Sequence, residues 1–127
     1  MLRIREEQMA VFRKYMLKQF ENRMVDHLYK YFPEECEALG EEEVREAIRY
    51  GIDQADSYGI IIEDHVSKYI NLMFLFGRDF DKALVWAKEI LTDEEIRQPP
   101  ERVRLLYKEA EQHLSEAVRI HQQERRA

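Results

Sequence analysis

The chain has 127 residues, 45% of them hydrophobic and 36% charged, with a net charge of −6; that is one domain's worth of protein, well above the roughly one-quarter charged content of an average globular chain. Four Gly and three Pro argue against a loop-rich or disordered chain, and a single Cys excludes a disulfide framework or thiolate cluster. The longest apolar run, Leu72 to Phe76, is far short of the about 18 residues a membrane span needs, and the charged opening MLRIREEQMAVFRK lacks a signal-peptide core, so a cytoplasmic location is expected.

The first predicted helix runs from Arg5 to Phe32. Met9, Phe12, Met16, Phe20, Met24 and Leu28 recur at steps of three and four, and Val11, Tyr15, Leu17, Val25 and Tyr29 widen the stripe. Pro33 ends this helix, because the residue before a proline is pushed out of the helical region, and opens a short one, PEECEAL, that Gly40 closes. Glu41 to Tyr58 repeats Val44, Ala47, Ile48, Ile52, Ala55 and Tyr58 before Gly59. Gly51 inside it costs about 1 kcal/mol relative to Ala, which close approach of a neighbouring helix would explain. Ile60, Ile61 and Ile62 predict a buried extended connector.

A fourth helix spans Glu63 to Phe76 with Gly77 as its stop, and its apolar residues on more than one face place it at the centre. Asp81 is expected to cap a fifth helix, Lys82 to Leu91, and Thr92-Asp93-Glu94-Glu95 reads as a capping box starting one further short turn. Gln98-Pro99-Pro100 breaks the chain. After it Val103, Tyr107, Ala110, Leu114, Ala117 and His121 alternate at four and three, a heptad seam that offers a homodimer through the C-terminal helix. The expected architecture is an all-α, single-domain helical bundle over residues 1–127. Its long terminal helices pack near-antiparallel around shorter central ones, and its ends, 1–5 and 122–127, fray.

Charge is unevenly distributed. Residues 1–32 carry +3, residues 33–65 carry −9, and the remainder is near neutral. No basic tract or aromatic-basic stacking motif accompanies it, so nucleic acid is not an expected partner, nor is a membrane. Glu34, Glu35, Glu41, Glu42 and Glu43 fit helix N-termini, where the macrodipole favours them; a face for a basic partner is the alternative. His27, His65, His113 and His121 form no metal-binding spacing, and Asp79 with Asp81 makes no specific acid–base pair. Cys36 lies among glutamates that raise a thiol's pKa, the reverse of what a nucleophile needs. No catalytic residue, cofactor or metal is expected.

The aromatics remain. Phe76, Phe80 and Trp86, with Arg78 and Asp79 fixing orientation, are the candidate partner-binding anchor. The alternative is that Phe80 and Trp86 close the end of the bundle.

Tyr58-Gly59-Ile60, Glu63-Asp64-His65-Val66, Lys68 to Phe74, Gly77-Arg78-Asp79-Phe80-Asp81, Trp86-Ala87 and Ile90-Leu91, together with Met24 to Leu28, Phe32-Pro33 and Cys36 to Gly40, form a recognisable pattern. Over about residues 8 to 107 it resembles small all-helical bacterial proteins encoded beside type VI secretion spike components, PAAR-like proteins and toxic effectors. The chain departs from that pattern at Val85, where those proteins often have proline, and at Ile62, where they often have Ser or Thr. The resemblance implies a non-enzymatic adaptor or chaperone that holds an effector or spike component. The alternatives are a cytoplasmic immunity protein neutralising a toxin, and a self-associating structural protein.

Overall fold

A computed structural model describes residues 6–126, with side chains described as far as residue 114. Seven helices follow in order: α1 (Glu6–Tyr31), α2 (Pro33–Leu39), α3 (Glu41–Ser57), α4 (Glu63–Phe76), α5 (Phe80–Ala83), α6 (Val85–Thr92) and α7 (Pro99–Arg126). Residues 1–5 and 127, and the Ala117 and His121 side chains of the C-terminal seam, lie outside the described residues, while the backbone of 122–126, expected to fray, continues α7. No strand occurs among the described residues, and none of their helices is long and apolar enough to cross a membrane.

Central α4 is enclosed as its composition requires. Val66, Tyr69, Ile70, Leu72 and Met73 are all buried. On one side α3 lies against it with Gly51 at the crossing, where an added Cβ would stand 2.7 Å from Ile70 Cγ1 and 2.8 Å from Met73 Sδ. The close approach inferred from sequence is therefore present, and it explains why this helix keeps a glycine. On another side α7 packs through Val103, Leu106 and Ala110, all buried. Among the described residues the terminal helices flank α4 and, contrary to the sequence expectation, are not each other's main partner: α1 packs chiefly on α2 and α3, and α7 on α4 and α6. A polar chain joins all three layers. His27 on α1 shares a 3.0 Å hydrogen bond with Asn71 on α4, and the Tyr107 hydroxyl of α7 donates to the Lys68 carbonyl at 3.2 Å while lying 3.5 Å from the Asn71 amide.

Three departures from the sequence expectation have local causes. The α1 stripe enters the core only from Phe20; Phe12 and Met16 are exposed. Successive steps of four overshoot a full turn by about 40° each, so a row followed from Leu28 back to Phe12 winds off the core face. Of the triple isoleucine, Ile60 is buried, whereas Ile61 and Ile62 are exposed at 72% and 53%. An extended link alternates its sides, so it cannot bury all three. The fifth helix is two helices, because Leu84 takes an extended conformation (φ −98°, ψ 121°) between α5 and α6. Asp81 is consequently inside α5 and fully buried, not a cap. Beyond α6 it is Asp93, not Thr92, that organises the chain, its carboxylate accepting from the Glu95 amide at 2.9 Å in a turn.

Candidate interaction surfaces

The five residues expected to form an anchor are placed in three different environments. Phe80 is completely buried, its ring centre 5.1 Å from that of Tyr69, and it contributes no surface. Arg78 lies over the Tyr50 ring at 4.0 Å and reaches Glu46 at 3.3 Å. Asp79 accepts a short hydrogen bond from the Tyr50 hydroxyl, so both residues tie the loop after α4 back to α3. That bond, together with burial, raises the Tyr50 pKa. Phe76 and Trp86 are half-buried, edge to face at 5.5 Å, and the indole stacks on His113 of α7 at 4.9 Å and 15°. Trp86 thus joins the ends of α4, α6 and α7.

Beneath this loop lies a polar core feature that sequence reasoning missed. The Tyr58 hydroxyl donates to Asp81 at 2.6 Å. Desolvation and then the Asp81 carboxylate push the Tyr58 pKa well above its ordinary value, and burial does the same at Tyr69. Arg102 on α7 donates to the Tyr58 carbonyl at 3.0 Å and the Asp93 carbonyl at 3.3 Å, clasping the ends of α3 and α6. A second missed feature is Glu21, buried on α1. It accepts from Arg45 at 2.6 Å, Arg49 at 2.9 Å and Lys18 at 3.1 Å. Burial by itself would raise this carboxyl, but the three cations outweigh it and hold the pKa below the usual glutamate value. These partners lie up to 28 residues from Glu21, and no local spacing marks such a cluster.

Cys36 is fully buried, and desolvation with the Glu35 charge raises its pKa. Among the described residues no three His, Cys, Asp or Glu side chains converge as a metal site would require.

Two apolar surfaces stand out among the described residues. The first is a groove of about 430 Å³ between α2, α3 and α4. Ala38, Leu39, Ala47, Met73 and Phe74 give it an apolar lining, Glu35, Glu43 and Glu46 an acidic rim, and Arg78 one edge. The neighbouring Glu34, Glu37 and Glu42 are exposed, and like Glu35 and Glu43 they form no ion pair among the described residues. Glu34 and Glu35 occupy the first turn of α2 and Glu41, Glu42 and Glu43 that of α3, as expected. The second surface covers the first half of α1, where Val11, Phe12, Tyr15, Met16 and Leu17 are exposed. Between it and the α3–α4 link is a cleft of about 440 Å³ whose lining includes Phe12, Met16, Ile52, Ile61 and Val66.

The C-terminal seam is not free in its described part. Val103 and Ala110 are buried in their own domain, Tyr107 is half-buried against α4, and Leu114 is 37% exposed. No protein-family model, curated protein or solved structure matches the chain.

Proposed function

We propose that this chain is a non-enzymatic, cytoplasmic protein-binding accessory, an adaptor or chaperone that holds a secreted effector or spike component of a bacterial contractile secretion system. The observation that carries the reading is the groove between α2, α3 and α4, whose apolar floor is rimmed by Glu35 and Glu43, which form no ion pair among the described residues, and by Glu46, which Arg78 reaches. An apolar floor supplies affinity, and unpaired carboxylates select a partner segment with Lys or Arg beside its apolar residues. Arg78 and Asp79 position the rim through Glu46 and Tyr50. The half-buried Phe76 and Trp86 extend the surface at the ends of α4 and α6, while Phe80 lies in the core against Tyr69. The class of partner comes from the resemblance over residues 8 to 107. The same acidic rim favours one other reading, an immunity protein that covers a basic face of a toxin.

The test is co-purification of the tagged chain with effector and spike proteins expressed alongside it, compared with Glu35→Lys/Glu43→Lys. Both positions are exposed and form no ion pair, so the double variant should keep its helical circular dichroism while capture falls roughly tenfold or more. Capture that is indifferent to the charge reversal would sink the reading. Rescue of cells from a captured toxin, without any effect on its export, would replace the adaptor by the immunity protein.

A further inference from the structure

The start of α1 and the groove between α2, α3 and α4 are opposite in charge. Every residue from Val11 to Lys18 is exposed, and the stretch includes Arg13, Lys14 and Lys18 but no acid. Neither Arg13 nor Lys14 forms an ion pair among the described residues. Part of this stretch serves its own domain. Phe12 and Met16 line the cleft toward the α3–α4 link, and Lys14, Tyr15 and Lys18 border a groove of about 750 Å³ beside α3. Val11, Lys14, Tyr15 and Lys18 also make one ridge, at i, i+3, i+4 and i+7 and within about 100° of one another around the helix. On it Val11 and Tyr15 are 70% and 59% exposed, and the Lys18 side chain stays 61% exposed while it touches Glu21.

We propose that this ridge docks in the acid-rimmed groove of a second copy of the chain. Val11 and Tyr15 lie on its apolar floor, and Lys14 and Lys18 face Glu35 and Glu43 of the second copy. Charge complementarity selects this occupant. The groove calls for apolar side chains with cations beside them, and the ridge offers both within two helical turns. Glu7, one turn earlier on the same ridge, falls at the edge that Arg78 supplies. The molecule's own groove is out of reach, because about 24 Å of rigid helix separates Tyr15 from the Tyr31 end that leads into α2. Ridge and groove are different patches, so the contact is heterologous: each copy's ridge fills the next copy's groove, and association builds rings or open chains. The inference rests on the reading of the groove as a site for basic, apolar segments and adds its regulation. A second copy must leave the groove before an effector or spike segment can enter.

Sedimentation velocity on the full chain at low salt tests it. The mean particle mass should rise above 15.4 kDa between about 10 and 500 µM, as a small interface would give, and fall back as salt is added. Val11→Gln/Tyr15→Gln on the ridge and Glu35→Lys/Glu43→Lys on the groove should each weaken self-association roughly tenfold or more. All four positions are exposed, so helical circular dichroism should not change. The two variants mixed give the sharper result. One keeps the groove and the other the ridge, so the mixture should form a one-to-one dimer of twice 15.4 kDa and stop there. A parent that stays at 15.4 kDa at about 500 µM, growth undiminished in either variant, or a mixture that stays monomeric or outgrows the dimer would overturn the pairing. A monomeric parent whose capture of effector or spike proteins still falls with Glu35→Lys/Glu43→Lys would overturn the pairing alone. Self-association lost in that variant while capture is unchanged would uphold the pairing and sink the groove as the adaptor's site.

Discussion

Glu21 shows how a single buried charge is held in this fold. A carboxylate removed from water is stable only with partners, and Arg45, Arg49 and Lys18 supply them from two helices. Because the folded pKa lies below the ordinary value, the contribution is present in full above the unfolded pKa of about 4.3 and disappears as pH falls through the lower folded value. Glu21→Gln should therefore lower stability by about 1–3 kcal/mol at pH 7. In urea titrations the gap between variant and parent should close below about pH 4; a gap that persists in acid would mean that shape, not charge, is what Glu21 supplies. None of this is legible from residues 18 to 49 as a string, since an i, i+3 Lys–Glu pair looks like any surface pair until α3 is laid across it. Gly51 is the opposite case: a glycine within a strong helical period already asks for a close neighbour, and only the neighbour's identity had to come from the structure.

At the scale of elements, the boundaries that chain chemistry dictates are those the sequence predicts best. Pro33 and Gly40 bracket α2, and Gly77 stops α4, with Gly40 and Gly77 at φ +85° and +111°. The break at Leu84 has no such marker, because an extended residue between two helices needs neither Gly nor Pro. It does bear on the next residue. Val85 is the first residue of α6, is 70% exposed, and follows a residue already in the extended region that precedes prolines. Val85→Pro should accordingly stabilise the chain by about 0.4–1 kcal/mol, read as a higher urea midpoint with unchanged slope; a lower midpoint would show that the Val85 amide is needed. The candidate surfaces were legible in part. The acidic block over residues 33–65 announces itself, while the apolar floor beneath it is assembled from three helices and is visible only when they pack. From Phe76 to Trp86 the string left open whether Phe80 is anchor or core, because a loop aromatic and a core aromatic look alike there, and Phe80 is core.

For the whole molecule, one contiguous core runs from Phe20 on α1 to Ala110 on α7, and a single core implies a single cooperative transition. The lone tryptophan is well placed to check this. Trp86 contacts Phe76 and His113, so its emission reports the junction of α4, α6 and α7. Denaturation followed by tryptophan fluorescence and by far-ultraviolet circular dichroism should coincide within error, with His113→Ala altering the emission of the native state far more than its ellipticity. Two separated transitions would show that α7 detaches before the rest unfolds.

The order of packing along the chain has a temporal counterpart. Most contacting helices are near neighbours in sequence, α2 on α3, α3 on α4, α5 on α6 and α6 on α7, so little loop entropy has to be lost before each contact forms. During synthesis each helix finds its platform already made, until α7 arrives. Only then can Arg102 reach the carbonyls left waiting at Tyr58 and Asp93. α7, made after the six helices it fastens, is thus the latch, and a ribosome stalled before it would hold an assembled but unfastened chain.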